Sequence, residues 1–256
     1  MRPHAFVALC LSLLCLVSTP PAQSLPVIDL RGRPQALHVY GSPSGYPVVL
    51  SSGDGGWIHL APHAAEVLAA HGFFVLGFDV RSYLSDFTHG TSVLDVGDEP
   101  GDYRALADLA QRLTGRRPIL VGVSEGGGLS VLAASDPRNR QAVAGVIALG
   151  LPDTNELGWR WKDAAIYVTH AVPNEPTFRV SSVIDQVAPL PLAAIHATGD
   201  EFVRVADVER LMSSARDPKK LWIINASNHR FSDNLNEFDA RLTEAAQWIL
   251  EHQQNG

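Results

Sequence analysis

Four apolar runs constrain this chain more than any other feature. They are FFVLGFDV (73–80), RPILVGV (117–123), AVAGVIALG (142–150) and PLAAIHATG (191–199). A strand with one wet face alternates apolar and polar residues. These runs do not alternate, so both faces of each strand must be covered. Between and after them lie segments with helical spacing: 60–72, 102–115, 204–215 and 236–253. Two of these helices end on a glycine, Gly72 and Gly115, which can close a helix in the left-handed region. In the last helix, Phe238, Leu242, Ala245 and Ile249 share one face. Shorter strand patterns lie at 36–41, 46–52 and 219–227. The reading is α/β, with a mainly parallel central sheet and helices on both faces.

In such a sheet, ligands bind beyond the carboxyl ends of the strands. The segment 117–123 ends in Gly122-Val123-Ser124-Glu125-Gly126, which is G-x-S-x-G between a strand and a helix. That context marks a sharp turn holding a serine nucleophile, Ser124. A serine hydroxyl needs a base to take its proton. The chain order expected in this architecture is serine, then acid, then histidine. Asp200 follows the strand that ends at Gly199, and His229 follows the last strand. Glu201 and Asp233 compete with Asp200 for the acid's role. His196 lies inside a strand, and His63 and His71 lie on a helix, so these three read as structural or exposed.

An oxyanion site needs two aimed N–H donors. The backbone of Glu125 is one candidate. The other is Asp54, in the loop LSSGDGGW (50–57) after an early strand. Gly53, Asp54 and Trp57 of this loop are candidates for substrate contact. Two acidic residues beside a developing negative charge pose a problem. At 4 Å and an effective dielectric near 20, two unit charges interact by about 4 kcal/mol. Either the carboxylates turn away, with Asp54 bonding its own glycine loop and Glu125 capping or facing solvent, or an ammonium on the acyl group sits against one of them. Asp79, at a strand end, reads as an organiser of the following turn.

The run MRPHAFVALCLSLLCLVSTPPAQS (1–24) carries one arginine, an apolar stretch from Ala5 to Val17 and small residues near Ser24. It reads as a secretory signal cleaved near Ser24, leaving residues 25–256 as one domain, periplasmic or secreted. The apolar stretch is short of the about 20 residues a spanning helix needs. Cys10 and Cys15 both lie inside it, so the mature chain has no thiol chemistry. The net charge of −7 argues against a nucleic-acid partner. No histidine or carboxylate cluster has metal-ligand spacing, and no cofactor is implied. Residues 151–185 break the strand–helix rhythm and are a candidate lid or insertion. Oligomeric state is not legible.

Together, the signal sequence, Ser52-Gly-Asp-Gly-Gly-Trp57, LVGVSEGGG (120–128) and ASNHRFSDN (226–234) resemble the VirJ/AcvB group of exported bacterial α/β-hydrolases. The resemblance spans most of residues 45–250. It implies the α/β-hydrolase fold, a triad of Ser124, Asp200 and His229, and export to the periplasm with an association with virulence. It further implies hydrolysis of lysyl-phosphatidylglycerol at a membrane surface, with Asp54 near the substrate ammonium. The residues alone equally allow a carboxylesterase of broad specificity, or an exported binding or assembly protein that keeps the fold without the chemistry.

Overall fold

A computed structural model describes residues 26–160 and 175–254. The expected signal sequence, with both cysteines, and the middle of the 151–185 stretch lie outside the described residues.

The strands are β1 (Val27–Leu30), β2 (Arg33–Tyr40), β3 (Tyr46–Ser51), β4 (Phe73–Phe78), β5 (Ile119–Val123), β6 (Gly145–Leu149), β7 (Thr154–Glu156), β8 (Thr177–Arg179), β9 (Leu192–Ala197) and β10 (Lys219–Ile224). The helices are α1 (Leu60–Ala70), α2 (Val80–Phe87), α3 (Glu99–Thr114), α4 (Glu125–Ser135), α5 (Val205–Ser214) and α6 (Leu235–Gln254). Eight strands form one sheet in the order β1-β2-β4-β3-β5-β6-β9-β10. β1 and β2 join antiparallel, and β3, β4, β5, β6, β9 and β10 run parallel.

Successive residues of the central strands enter opposite cores. Val48, Leu50, Ile119, Val121, Ile147 and Leu149 pack with α1 and α6. Val49, Leu120, Val146 and Ala148 pack with α2, α3, α4 and α5. This is the period of 2 expressed on a sheet covered on both sides, and it explains why the strands read as continuous apolar runs. Phe238, Leu242, Ala245 and Ile249 are all fully buried, as the stripe on the last helix requires.

Two elements differ from the sequence reading. The run 73–80 ends as a strand at Phe78, and a helix starts at Val80. Asp79 makes that break: its side chain accepts a hydrogen bond from the Ser82 N–H and caps α2. Val80, Tyr83, Leu84 and Phe87 lie at i, i+3, i+4 and i+7, a helical stripe whose first three members are buried. Within 151–185, Thr154–Glu156 and Thr177–Arg179 form a small antiparallel pair. Asn155 of this pair seats against the first turn of α4, where a Cβ on Gly128 would overlap its side-chain amide.

Register places the strand ends side by side. Ser51 pairs with Gly122, Val123 with Leu149, and Ala197 with Ile224. The chain leaves β3 toward β4 on one side and returns with β5 on the other. The crevice beyond β3 and β5 is therefore the topological switch point, where such sheets bind ligands.

The Gly128 contact makes a testable claim. Gly128→Ala is expected to lower stability by about 1–3 kcal/mol, the usual range for overpacking a tight interior. Adding Asn155→Ala should recover part of that loss. Denaturant melts of the two single variants and the double variant measure the coupling, and strictly additive losses would contradict the contact.

Candidate active site

Ser124 stands between the last residue of β5 and the first of α4, with φ 50 and ψ −115. A residue with a side chain adopts such a backbone at a cost of about 1–3 kcal/mol. The surroundings enforce it. A Cβ on Gly122 would overlap the backbone of Gly126, and one on Gly126 would overlap the carbonyl of Ser52. The Ser124 N–H is held by the Leu149 carbonyl at 2.8 Å. The turn is locked from both sides, and Ser124 remains partly exposed at its tip.

The loop after β3 comes directly against the serine. A Cβ on Gly53 would sit 3.6 Å from the Ser124 Cβ. The loop is pinned by Asp79, whose Oδ2 accepts from the Trp57 N–H at 3.2 Å. The Trp57 indole lies over Gly77 of β4, stacks on His38 at 4.6 Å and donates to the Tyr40 hydroxyl. These contacts anchor the Trp57 ring to the sheet, and Gly53 is the loop residue set against the serine.

Asp200 and His229 meet as the chain order anticipates. His229 Nδ1 lies 2.6 Å from Asp200 Oδ2. Asp200 Oδ1 accepts from the Phe202 and Val203 N–H groups, each at 2.9 Å. Burial pushes the Asp200 carboxyl up, but the His229 hydrogen bond and charge and the two N–H donors outweigh it and hold it below the usual range. The two rival acids have other partners. Glu201 accepts the backbone N–H of His229 at 2.7 Å, and Asp233 accepts that of Ser227. The imidazole lies over Gly150, where a Cβ would lie 2.5 Å from Cε1. Gly150 adjoins Leu149, the residue that holds the Ser124 N–H. The histidine and the serine therefore share one small floor at the end of β6.

The Glu125 side chain does not face solvent, one of the placements open to it from the sequence. Glu125 is 6 % exposed, and its carboxyl accepts from the backbone N–H of Glu156 on β7. Burial, and then the charges of Asp54 and Glu156, push the Glu125 carboxyl well above the ordinary range. This shift favours the neutral form of Glu125 and so weakens its negative field beside Ser124. As the first residue of α4, it has its N–H outside the helical ladder. Asp54 is half-buried, and its carboxylate makes no hydrogen bond among the described residues. The expected bonding of Asp54 to its own glycines is replaced by a Gly56 N–H to Gly53 carbonyl bond. Sequence reasoning did not identify Glu156 or Asn155. Gly128 was the available signal for Asn155, and nothing in the sequence marked Glu156.

Phe202, 46 % exposed, sets its ring edge against His229 at 5.4 Å and separates two clefts of about 680 and 470 Å³. The larger runs past His59, Asn228 and Arg230, and the smaller past Pro152, Arg179 and Arg210. Among the described residues no group of three metal-ligating side chains converges, and no helix is long and apolar enough to cross a membrane.

Glu125 gives a pH signature. A carboxyl with a raised folded pKa stabilises fully below the ordinary carboxylate range and loses that contribution as pH rises toward the folded value. Glu99, fully buried and raised by burial and then by Asp102, acts with the same sign. Melting temperature should therefore fall from weakly acidic to alkaline pH. Glu125→Gln keeps the acceptor for the Glu156 N–H but cannot ionise, so it should make that fall shallower. An unchanged slope would mean that Glu125 is not neutral in the folded protein.

The sequence matches the model of the alpha/beta hydrolase fold family over residues 46–192. No curated protein matches the sequence. Among solved structures, the fold is similar to Est1E from Butyrivibrio proteoclasticus, with a TM-score of 0.66 and 17% identity over 90% of this chain and 99% of that one. An esterase of Pyrococcus furiosus gives 0.65 and 18% over 87% and 89%. A monoacylglycerol lipase of Paleococcus ferrophilus gives 0.59 and 17% over 85% and 99%. At these identities the likeness carries the fold, and the sequence match carries the family: the chain belongs to the alpha/beta hydrolase fold family.

Proposed function

We propose that this protein is a serine hydrolase of ester bonds, with Ser124 as nucleophile, His229 as base and Asp200 as the acid that orients it. The observations that carry this reading are the strained Ser124 turn and the Asp200–His229 hydrogen bond of 2.6 Å. In the reaction, His229 takes the hydroxyl proton as Ser124 Oγ attacks the ester carbonyl carbon. The Glu125 and Asp54 N–H groups receive the negative charge that develops on the carbonyl oxygen. Collapse expels the alcohol, which leaves with the proton held by His229. Water then enters by the same route and releases the acid from Ser124. Asp200, kept ionised, fixes the His229 tautomer and stabilises its cation. A neutral Glu125 side chain lets its own N–H serve the oxyanion without an opposing charge.

The finer reading is an aminoacylated lipid ester such as lysyl-phosphatidylglycerol, cleaved outside the cytoplasm by the exported chain. It is supported by the likeness of the Ser52–Trp57 segment to the VirJ/AcvB group. It is also supported by Asp54, whose neighbour Gly53 lies against Ser124 and whose side chain makes no hydrogen bond among the described residues. The exposed Ile58 and Phe202 favour a second reading, an esterase for uncharged apolar esters.

Ser124→Ala should lower kcat for ester hydrolysis by about a thousandfold or more and abolish covalent labelling by a fluorophosphonate. Labelling that persists in Ser124→Ala, or that is absent from the folded wild type, overturns the enzyme reading.

Lysyl-phosphatidylglycerol and an uncharged ester separate the two substrate readings. With ammonium recognition, Asp54→Asn lowers the ratio of their kcat/KM values by about tenfold, the scale of one charge-assisted hydrogen bond. An unchanged ratio leaves the uncharged-ester reading. Fractionation of cells making the full chain tests export, and a purely cytoplasmic protein would remove that part.

A further inference from the structure

His196 lies on β9 with 0 % exposure, and no step above uses it. Its Nε2 lies 2.9 Å from the Val203 carbonyl. A carbonyl only accepts, so a neutral imidazole here carries its proton on Nε2 and a bare lone pair on Nδ1. Among the described residues that Nδ1 has no hydrogen-bond partner, and it sits 3.8 Å from Asp200 Oδ2. The same oxygen takes the His229 hydrogen bond. Val203 thus bonds Asp200 through its N–H and His196 through its carbonyl. The loop that presents the acid is clamped at one residue, and its inner jaw is a histidine.

We propose that His196 is a positioning residue for Asp200 that works only in its neutral form. It clamps the acid loop through Val203 and leaves Asp200 Oδ2 to His229. Protonated at Nδ1, it becomes a second donor facing that oxygen and draws the carboxylate away from His229. This rests on the reading of Asp200 and His229 as an acid–base pair. The charged or titratable groups facing His196 are Asp200, on the loop after β9, and His229, on the loop after β10. Burial is the largest influence and lowers the His196 pKa. The Asp200 charge and the Val203 carbonyl oppose that, and His229 adds to it. The clamp is therefore set at neutral pH and released on acidification. Acid inactivation acquires a cause separate from protonation of His229 itself.

Two variants separate position from bulk. His196→Leu removes the donor to Val203 and is expected to lower kcat about tenfold with KM within about twofold. His196→Gln restores an N–H donor that cannot gain a charge. It is expected to recover most of kcat and to make the acid limb of the pH profile less steep than in the wild type. An acid limb in His196→Gln that superimposes on the wild type overturns the proposal. A full kcat in His196→Leu also overturns it.

A second measurement does not depend on turnover or on folding of the leucine variant. In Ser124→Ala, proton NMR of the His229 Nδ1–H reports the bond to Asp200. On acidification the signal should lie further upfield when His196 is present than when it is glutamine. Identical titrations in the two proteins overturn the clamp. If the wild type cleaves no ester while these titrations differ, the function reading fails and the positioning role of His196 stands.

Discussion

Close contact between the first turn of α4 and the ends of β3 and β5 is the constraint on which the site depends. It exists because Gly122 and Gly126 have no Cβ. The contact forces Ser124 into a backbone that a residue with a side chain rarely adopts, and the Leu149 carbonyl locks it there. Two buried cores, one on each side of the sheet, hold this arrangement rigid. The strain at one residue is small against what the packed sheet supplies.

The same closeness creates an electrostatic difficulty that the fold resolves locally. Helix α4 begins with a glutamate, and the neighbouring loop contributes an aspartate. Burial favours the neutral form of Glu125, and its carboxyl takes the Glu156 N–H. One carboxyl therefore joins the elbow to the β7–β8 pair. Asp200 is the opposite case. It is also buried, yet two N–H donors and an imidazole keep it ionised. The number and kind of hydrogen-bond donors decides which of two buried carboxyls carries charge.

Much of this was legible in the sequence. The apolar runs announced strands covered on both faces, and the strand–glycine–serine–helix order placed Ser124. The positions after the last two long strands pointed to Asp200 and His229. Other features were not legible. α2 follows β4 with only Asp79 between them, so Val80, the first residue of its stripe, reads as the end of the apolar strand run. Trp57 looked available for substrate, because nothing local reveals that Gly77, His38 and Tyr40 receive its ring. Gly127 and Gly128 signalled close packing without naming the partner, which proved to include Asn155 for Gly128.

The sequence by itself determined the class of sheet, the turn at Ser124 and the order of the acid and the histidine. Those depend on periodicity and on local backbone sterics, which neighbouring residues encode. Only the tertiary structure decided that Asp200, and neither Glu201 nor Asp233, meets the His229 ring. It alone decided that Glu125 is buried with its carboxyl pKa raised, and that His196 stands behind Asp200. These outcomes depend on distances and burial between residues far apart in the chain, and pKa follows from both.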